Sequence, residues 1–517
     1  MVKQYVGARY VPKFASPIEW AADTSYEALT IVNFNNASYT SKVPVPPTVG
    51  NPANNPQYWA LTGNYNAQVE QYRQETAKVS TDLTTEIQNR TAADEKEAQD
   101  RTKALNTKVS TPEDFGAMGD GSNDDTTAIT NWLNSDNYVL LLPHKTYKCT
   151  RSILCEKSHL IIGNNGTILF DQNSEITINI RLLKFNNIDN LILENINIKI
   201  EATTNSPFSD DSIPDHDGML VDISNCNNLY IDGCSFSVID NGKTIPCTPM
   251  WIRDGGDSVY ITNSKFINKG MAKRSGALWT TGDYDSFICT NSILTGSTLD
   301  EVTYNFNTQN GFTSLYANCI ISSLAKNDNL TAINENMTVL FDNCTFKFAA
   351  GVVNYQGIKN AGGTVKFSGC IFDYYDTVNG GLFTGTAGNT IVEGCVINYT
   401  HSSTSNGGLF YGRGATIKAS NNIINLYGVN TNVVFIENKS DIALNNNTII
   451  NHDSGNGVGF FNTASGAIFT LINNVIYFNN KAKTYMSNTP PTKYIYQNIY
   501  IGLDSIPSDI ANKNIPA

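Results

Sequence analysis

The chain has 517 residues, of which 35 are Lys or Arg and 47 are Asp or Glu, so its net charge is -12 and its pI is near 4.9. This acidity argues against nucleic acid or an anionic membrane as a partner, and no stretch of about 18 apolar residues offers a membrane-spanning helix. The length predicts several domains, and the opening Met-Val-Lys-Gln-Tyr lacks the apolar core of a signal peptide.

Residues 1–64 are predicted to form a small β-module built around large rings. The residues spaced for this are Trp20, Tyr26, Val32, Tyr39 and Trp59. Their layout resembles the small chitin-binding type of carbohydrate-binding module, although rings in so small a module also serve as its core. The phrases Gly-Ala-Arg-Tyr-Val-Pro-Lys-Phe at 7–14 and Tyr-Trp-Ala-Leu-Thr-Gly-Asn-Tyr-Asn-Ala-Gln-Val-Glu at 58–70 resemble the N-terminal module of tail and appendage proteins of small phages of Gram-positive bacteria. That resemblance implies attachment to other virion proteins.

Residues 65–110 contain neither Gly nor Pro and are predicted to form a coiled-coil helix. Apolar or small residues recur at alternating spacings of 3 and 4, and after a phase shift the seam can continue. The seam residues are Val69, Tyr72, Thr76, Val79 and Leu83, followed by Ile87, Leu105 and Val109. A lone helix this polar has little to bury, so association with other copies is the simplest interpretation. The alternative is a solvated linker helix.

The next stretch is Thr111-Pro-Glu-Asp-Phe-Gly-Ala-Met-Gly-Asp-Gly-Ser-Asn-Asp-Asp-Thr-Thr-Ala-Ile129, which predicts a short strand, an Asp-Gly turn and a capped helix through about Leu133. It resembles the opening motif of the pectate-lyase-like β-helix superfamily, which includes phage tailspikes and many glycosidases. The resemblance implies a helix that covers the open end of the first coil. Asp124 and Asp125 are therefore interpreted as caps rather than catalysts.

A repeated phrase runs from about residue 190 to residue 478: an alternating apolar run, then Asn or Gly, then Cys, Ser or Asn, then an apolar pair. The residues at one register are Ile196, Cys234, Ser264, Ser292, Cys319, Cys344, Cys370, Cys395, Asn422, Asn447 and Asn474. Their spacings are 38, 30, 28, 27, 25, 26, 25, 27, 25 and 27 residues. Two-residue alternation at this period predicts stacked coils of strands, with like residues inside. A β-sandwich with coincidental spacing is the alternative.

The predicted fold is therefore all-β: a right-handed parallel β-helix over residues 111–480, with residues 481–517 as its C-terminal cap. Of the ten cysteines, four occupy the register position in successive coils, Cys319, Cys344, Cys370 and Cys395, and none forms a Cys-x-x-Cys pair. They are interpreted as reduced core residues, and no disulfide frame, zinc site or other metal or cofactor is expected.

A β-helix acquires function by lengthening its turns, so the three longest steps are where a site is expected. Trp251 and Trp279 precede their register Ser by 13 residues, as Phe306 precedes Cys319, while Asp257 and Asp285 precede theirs by 7. Equal offsets predict stacking one coil apart, and rings beside paired carboxylates suit a glycan cleft. The candidate catalytic residues are Asp254, Asp257, Asp283 and Asp285, and the candidate substrate-binding residues are Trp251, Arg253, Trp279 and Tyr284.

A purely structural interpretation, without binding or catalysis, stays open for each of these features. The Trp pair fits an interior stack, and Asp before a strand is often a turn cap. The loop Asp210–Asp217 fits either a cation site or a solvated loop. Lys273 and Arg274, which share offsets with Asp300 and Glu301, suggest structural ion pairs between coils. The Gly-His-Gly and Arg-x-Lys of the polygalacturonase branch are missing from the matching coils, so no defined catalytic set carries over.

The combined interpretation is a phage virion appendage or tailspike that binds a host cell-wall or capsular glycan, with hydrolysis or cleavage of that glycan as an open extension of the role. The resemblance implies a homotrimer, which also suits the heptads, and location in the virion tail or neck. Two alternatives stay open: a secreted or cell-associated bacterial polysaccharide lyase or hydrolase, and a purely structural fibre.

Overall fold

The structure is a computed structural model. It describes residues 17–63, 65–107, 109–171, 181–203, 218–239, 241, 247–269, 276–282, 284–296, 303–306, 312–323, 331–333, 337–348, 356–376, 381–401, 407–428, 431–436, 440–452, 459–463, 467–478, 484–487, 492–501 and 513–515. Contacts divide the chain into two compact units, residues 1–104 and 105–517. The phrase at 7–14, the loop Asp210–Asp217, Asp283, and the residues of the expected ion pairs lie outside the described residues.

The N-terminal module is a four-stranded sheet folded over a small aromatic core. Its strands are Ile18–Glu19, Ile31–Phe34, Ala37–Ser41 and Trp59–Gly63, with a short 3-10 helix at Pro52–Asn54. Tyr26 and Trp59 pack edge to face with ring centroids 5.3 Å apart, and both are buried together with Val32 and Val45. These two rings therefore form the core, rather than an exposed shelf for sugars.

The module is followed by one long helix, Tyr65–Thr107. Its described side chains, residues 70–97, are all exposed, and they include the apolar seam residues Tyr72, Val79, Leu83 and Ile87. Within the described residues, no helix has the length and apolar character needed to cross a membrane. The helix exists as expected, and its apolar seam has no partner within the described chain.

Residues after Val109 form a right-handed parallel β-helix with three faces. Strands of the first and second faces belong to one 24-stranded sheet, and those of the third face belong to a 16-stranded sheet. Each strand pairs in parallel with the equivalent strand of a neighbouring coil. Four long strands run through both the first and second faces: Arg181–Glu194, Gly218–Asp232, Gln356–Ser368 and Gly381–Glu393.

The remaining strands belong to single faces. The first face adds Ile153–Cys155, Cys247–Arg253, Leu278–Thr281, Thr303–Phe306, Thr331–Ile333, Gly407–Gly412, Thr431–Ile436, Gly459–Thr463 and Thr484–Ser487. The second face adds Val109–Ser110, Val139–Leu142, His159–Gly163, Gly256–Thr262, Tyr284–Thr290, Phe312–Ala317, Met337–Asp342, Thr416–Ser420, Asp441–Asn445, Ile468–Ile472 and Thr492–Tyr496.

The third face consists of Asp120–Asp124, Thr146–Cys149, Thr167–Asp171, Asn197–Glu201, Ser235–Ile239, Lys265–Asn268, Ile293–Gly296, Ile320–Ser323, Thr345–Phe348, Ile371–Asp376, Val396–His401, Ile423–Gly428, Thr448–Asn451, Val475–Phe478, Ile499–Ile501 and Lys513–Ile515.

The repeated phrase marks the turn between the second and third faces. Its Asn or Gly adopts a left-handed backbone, with φ of 50° at Asn263 and 64° at Gly394 for example, and these residue types adopt that conformation at least cost. The following register residue is buried, and each Asn side chain accepts from the backbone N–H of the preceding ladder residue, at 3.0 Å from Asn422 to Asn447. The Asn ladder continues to Asn498, one coil beyond the repeat recognised in the sequence.

A short helix, Thr126–Leu133, covers the first coil, and its Trp132 is fully buried and donates from Nε1 to the Ser110 carbonyl at 3.1 Å. Asp124 accepts the Thr126 backbone N–H at 3.0 Å, and the Asp125 carboxylate accepts the backbone N–H groups of Met118 and Gly119. Although partial burial acts to raise it, hydrogen bonds from threonine side chains and backbone hold the pKa of Asp124 below its usual range. Both carboxylates thus organise the capping turn.

Candidate functional site

The candidate site lies on the outer side of the first face. Strand Cys247–Arg253 pairs Trp251 with Asp222 of the preceding coil and with Trp279 of the following coil. The inward neighbours of Trp251 are fully buried, whereas both tryptophans are half-buried. The Trp pair is thus part of the outer surface and not of an interior stack.

Asp222 anchors this cluster, since its carboxylate is completely buried and is held by two arginines. Arg253 donates from Nε to Oδ1 at 2.9 Å and from Nη2 to Oδ2 at 3.1 Å, while Arg181 Nε lies 3.2 Å from Oδ2. Arg253 also forms an ion pair with the exposed Asp254. A buried carboxylate needs such partners, because an unpaired charge there would cost several kcal/mol. The two carboxylates balance the two guanidinium groups.

Trp251 is fixed from several directions. The guanidinium carbons of Arg181 and Arg253 each lie 5.0 Å from its ring centroid, within cation–π range. Its Nε1 donates to Thr281 Oγ1 at 2.8 Å. Trp279 meets it edge to face, with centroids 6.3 Å apart and an interplanar angle of 82°. The two rings therefore do not form one flat shelf. They form a corner, rigidly positioned by charged groups.

Asp257 and Asp285 lie beyond the next turn, on the outer side of the second face. The residues directly before them, Gly256 and Tyr284, pair with each other, so Asp257 and Asp285 occupy the same register in adjacent coils. Both carboxylates are exposed. Adjacent strands are about 4.8 Å apart. Tyr284 is buried, and burial raises the pKa of its phenol. It is thus placed to pack, with its ring turned from solvent.

The structure brings together only part of the predicted site. Arg253, Asp254 and the two tryptophans belong to one cluster, whereas no hydrogen bond or ion pair within the described residues joins Asp257 or Asp285 to it. Asp283 lies outside the described residues.

Arg181 and Asp222 belong to the cluster and were not identified from the sequence. The signal for Asp222 was a lone carboxylate within the apolar run Gly218-Met-Leu-Val-Asp-Ile223, because a charged residue there requires a buried partner. Counting from the register residue missed it, since Asp222 precedes Cys234 by 12 residues and not by 13.

The same counting placed Phe306 in the column of the tryptophans, which was wrong. Trp279 pairs with Tyr304, and Phe306 pairs with Thr281. The strand of the first face ends at Phe306 and that of the second begins at Phe312, whereas the previous coil passes from Thr281 to Tyr284. The turn between these two faces is longer in the coil of Phe306. Residues of the first face therefore precede the register residue by a larger number of positions in that coil.

Comparison with protein-family models and with curated proteins finds no match. Among solved structures, the chain is similar to the tailspike gp61 of Pseudomonas phage phi297, with 11% identity, 74% of this chain and 82% of that chain covered, and a TM-score of 0.42. It is similar to tailspike protein 3 of bacteriophage CBA120, with 12% identity, 96% and 77% covered, and a TM-score of 0.34. It is also similar to the surface protein and adhesin PfbA of Streptococcus pneumoniae, with 13% identity, 79% and 100% covered, and a TM-score of 0.35.

Proposed function

We propose that the chain is a virion appendage of the tailspike type, which binds a glycan on the surface of the host bacterium. In this proposal the N-terminal module docks to other virion proteins, the long helix joins three copies, and the β-helix meets the cell. The sequence resemblances of the module and of the capping motif support this assignment. The observation that carries it is the rigid outward cluster around Trp251 and Trp279, in coils longer than the later ones.

The cluster suits a saccharide for two physical reasons. An indole ring packs against the apolar face of a pyranose, and guanidinium and carboxylate groups beside it can bond to hydroxyls. Arg253 and Asp222 hold the tryptophan corner in place before any ligand arrives, so little side-chain entropy is lost on binding. Extended coils cost ordering entropy and add little to the core, which favours a functional reason for them.

The test of this proposal is Trp279→Ala. Loss of the ring should weaken binding of the protein to host cells or purified cell-wall glycan by on the order of 1 kcal/mol, about fivefold in the dissociation constant. Tyr496→Ala is the matched control, because Tyr496 is an exposed ring at the far end of the β-helix and 56% of its surface is accessible. The Tyr496→Ala variant should bind host cells or cell-wall glycan with the affinity of the wild type. If Trp279→Ala unfolds the protein, the ring is structural and the site assignment fails.

A second candidate function is cleavage of the same glycan, favoured by the registered pair Asp257 and Asp285. Carboxyl groups of retaining glycosidases lie about 5–5.5 Å apart, and adjacent strands are spaced about 4.8 Å apart. Asp254 and Asp283, which are close to this pair in sequence, are candidates for supporting roles. In this proposal, one carboxyl acts as acid and base and the other as nucleophile.

The double variant Asp257→Asn and Asp285→Asn tests cleavage. Both carboxylates are exposed, so their replacement should leave the fold intact. We expect the wild type to leave a clearing halo on a host lawn and the double variant to leave none while binding cells as before. A halo of full size from the double variant removes these residues from the mechanism, and the absence of any halo from the wild type favours a non-catalytic fibre.

A further inference from the structure

The outer side of the third face carries exposed rings in the later coils, far along the chain from the tryptophan cluster. Between strands Ile371–Asp376 and Val475–Phe478, Tyr375, Tyr427 and Tyr477 are 42%, 37% and 39% exposed. None of them contributes to the buried core. A surface with several rings facing solvent on one side of a rod is a candidate for binding.

A hydrogen-bonded polar ladder runs beside these rings. Asp373, Asn398 and Asn425 pair in register in three successive coils. Asn398 donates from Nδ2 to Asp373 Oδ1 at 2.7 Å, and Asn425 donates from Nδ2 to Asn398 Oδ1 at 2.9 Å. His452 Nε2 lies 3.1 Å from Asn425 Oδ1. These contacts fix the orientation of both amides, and each amide has further donor and acceptor capacity to offer.

The column next to the ladder contains a slot between two rings. Tyr427 stacks on His452 with centroids 4.6 Å apart and an interplanar angle of 6°, so one face of the tyrosine is covered. Its other face looks along the column toward Thr400, which pairs with Tyr427 on one side and with Tyr375 on the other. The two exposed rings, Tyr375 and Tyr427, are thus two coils apart, and only the small side chain of Thr400 lies between them in this column.

The size of the slot matches one sugar ring. Two strand spacings amount to roughly 10 Å, and a ligand ring needs about 3.5–4.0 Å to each neighbouring aromatic carbon. A pyranose chair between Tyr375 and Tyr427 would therefore contact both. We propose that this slot, with Thr400 as its floor and the Asp373–Asn398–Asn425 ladder at its side, binds a pyranose unit of a neutral glycan. The inference rests on the proposed function, since it takes the ligand to be a cell-surface saccharide.

Charge favours a neutral saccharide over an anionic polymer. At the described outward positions of the strands from Ile371–Asp376 to Val475–Phe478, Asp373 provides the only formal charge at pH 7. A polyanion would meet a carboxylate and no cation there. A second copy of the chain is also disfavoured as occupant, because dry packing would strip water from the ladder amides without replacing their hydrogen bonds. Sugar hydroxyls donate and accept, so they replace them.

The experiment is saturation-transfer NMR on the full chain with neutral tetrasaccharides of glucose, galactose and N-acetylglucosamine, and with polyglycerol phosphate as an anionic comparison. Thr400→Phe fills the slot without removing any ring, and it should raise the dissociation constant of the bound neutral tetrasaccharide about tenfold. Tyr375→Ala, which removes one wall, should also weaken binding. Melting temperatures check that both variants fold.

The matched control is Thr345→Phe, since Thr345 also lies on the outer side of the third face but at a position that pairs with Ile371 and not with the slot. It should bind as the wild type does. Unchanged affinity in Thr400→Phe, preference for polyglycerol phosphate, or no transfer to any neutral tetrasaccharide would overturn the inference. Loss of cell binding in Trp279→Ala with no effect of Thr400→Phe would support the proposed function while rejecting this slot. If neither Trp279→Ala nor Thr400→Phe weakens binding, both the proposed function and the slot are rejected.

Discussion

Inside the β-helix, side chains stack on their counterparts one coil away, and runs of one residue type let neighbouring coils satisfy each other's polar groups. The three amides from Asn422 to Asn474 satisfy one another and the backbone, with Asn447 Nδ2 donating to Asn474 Oδ1 at 3.0 Å. A buried amide without partners would cost about 1–3 kcal/mol. An isolated Asn would therefore destabilise a coil that a stack of them stabilises.

The cysteines of the ladder give the residue-scale prediction. All ten cysteines are free and buried, and Cys319, Cys344, Cys370 and Cys395 are each at most 1% exposed. A reagent cannot reach side chains so deeply buried. At the same register in an earlier coil, burial also raises the pKa of the Cys234 thiol to about 12, which disfavours the reactive thiolate. A thiol reagent at pH 8 should leave the native protein unmodified, and all ten thiols should react in denaturant. Rapid labelling of the four ladder thiols in the native protein would contradict their inward placement.

At the scale of the strand, the sequence was enough to predict the fold and the register of the strands next to the repeated turn. The alternation in the repeat identifies which residues face inward, and the residue after the left-handed Asn or Gly sits at one position in every coil, so Ile293 pairs with Ile320 as the spacing requires. This works because the same left-handed turn recurs in each coil, so the residue that follows it faces inward every time. The predicted cap helix is present at Thr126–Leu133 for a similar local reason, its turn chemistry.

The outer surface was harder to predict, because no repeated backbone constraint dictates what stands there. Trp251 and Trp279 were located by their shared offset within turns of similar length, but Asp222 and Arg181 were not. Their partnership joins residues 41 positions apart, whose proximity depends on the 38-residue step between coils. The slot at Thr400 likewise depends on which outward positions face each other, and it becomes visible only when the strands are in register.

At the scale of the whole molecule, the β-helix carries candidate binding residues on all three of its faces. The tryptophan cluster belongs to the first face, Asp257 and Asp285 to the second, and the tyrosine slot at Thr400 to the third. Three copies arranged around an axis would present each of these surfaces three times. Weak contacts with a repeating polymer would then add by avidity, because the second and third binding events take place at high effective concentration.

The number of copies is the whole-molecule prediction, and it depends on the long helix. Four seam residues of Tyr65–Thr107 are between 56% and 69% exposed in a single chain, and such a row of apolar side chains is buried when helices associate. We expect light scattering to give about three times the chain mass of 56.6 kDa. A clean monomer would contradict both the coiled coil and the tailspike assignment.

A pair of variants ties that mass to the seam. Val79→Glu with Leu83→Glu places charge on the seam and should produce monomers, because burying two carboxylates against other helices costs more than the contacts return. Thr81→Glu with Thr85→Glu adds the same charge at positions off the seam, where the side chains stay in water, and should leave the mass unchanged. The strand signal in circular dichroism should be the same in both, since the β-helix core contains none of these residues. If the two double variants have equal masses, the seam of the helix does not hold the copies together. Monomers from the first pair alone would also allow avidity to be measured directly, as the ratio of trimer to monomer affinity for host cells.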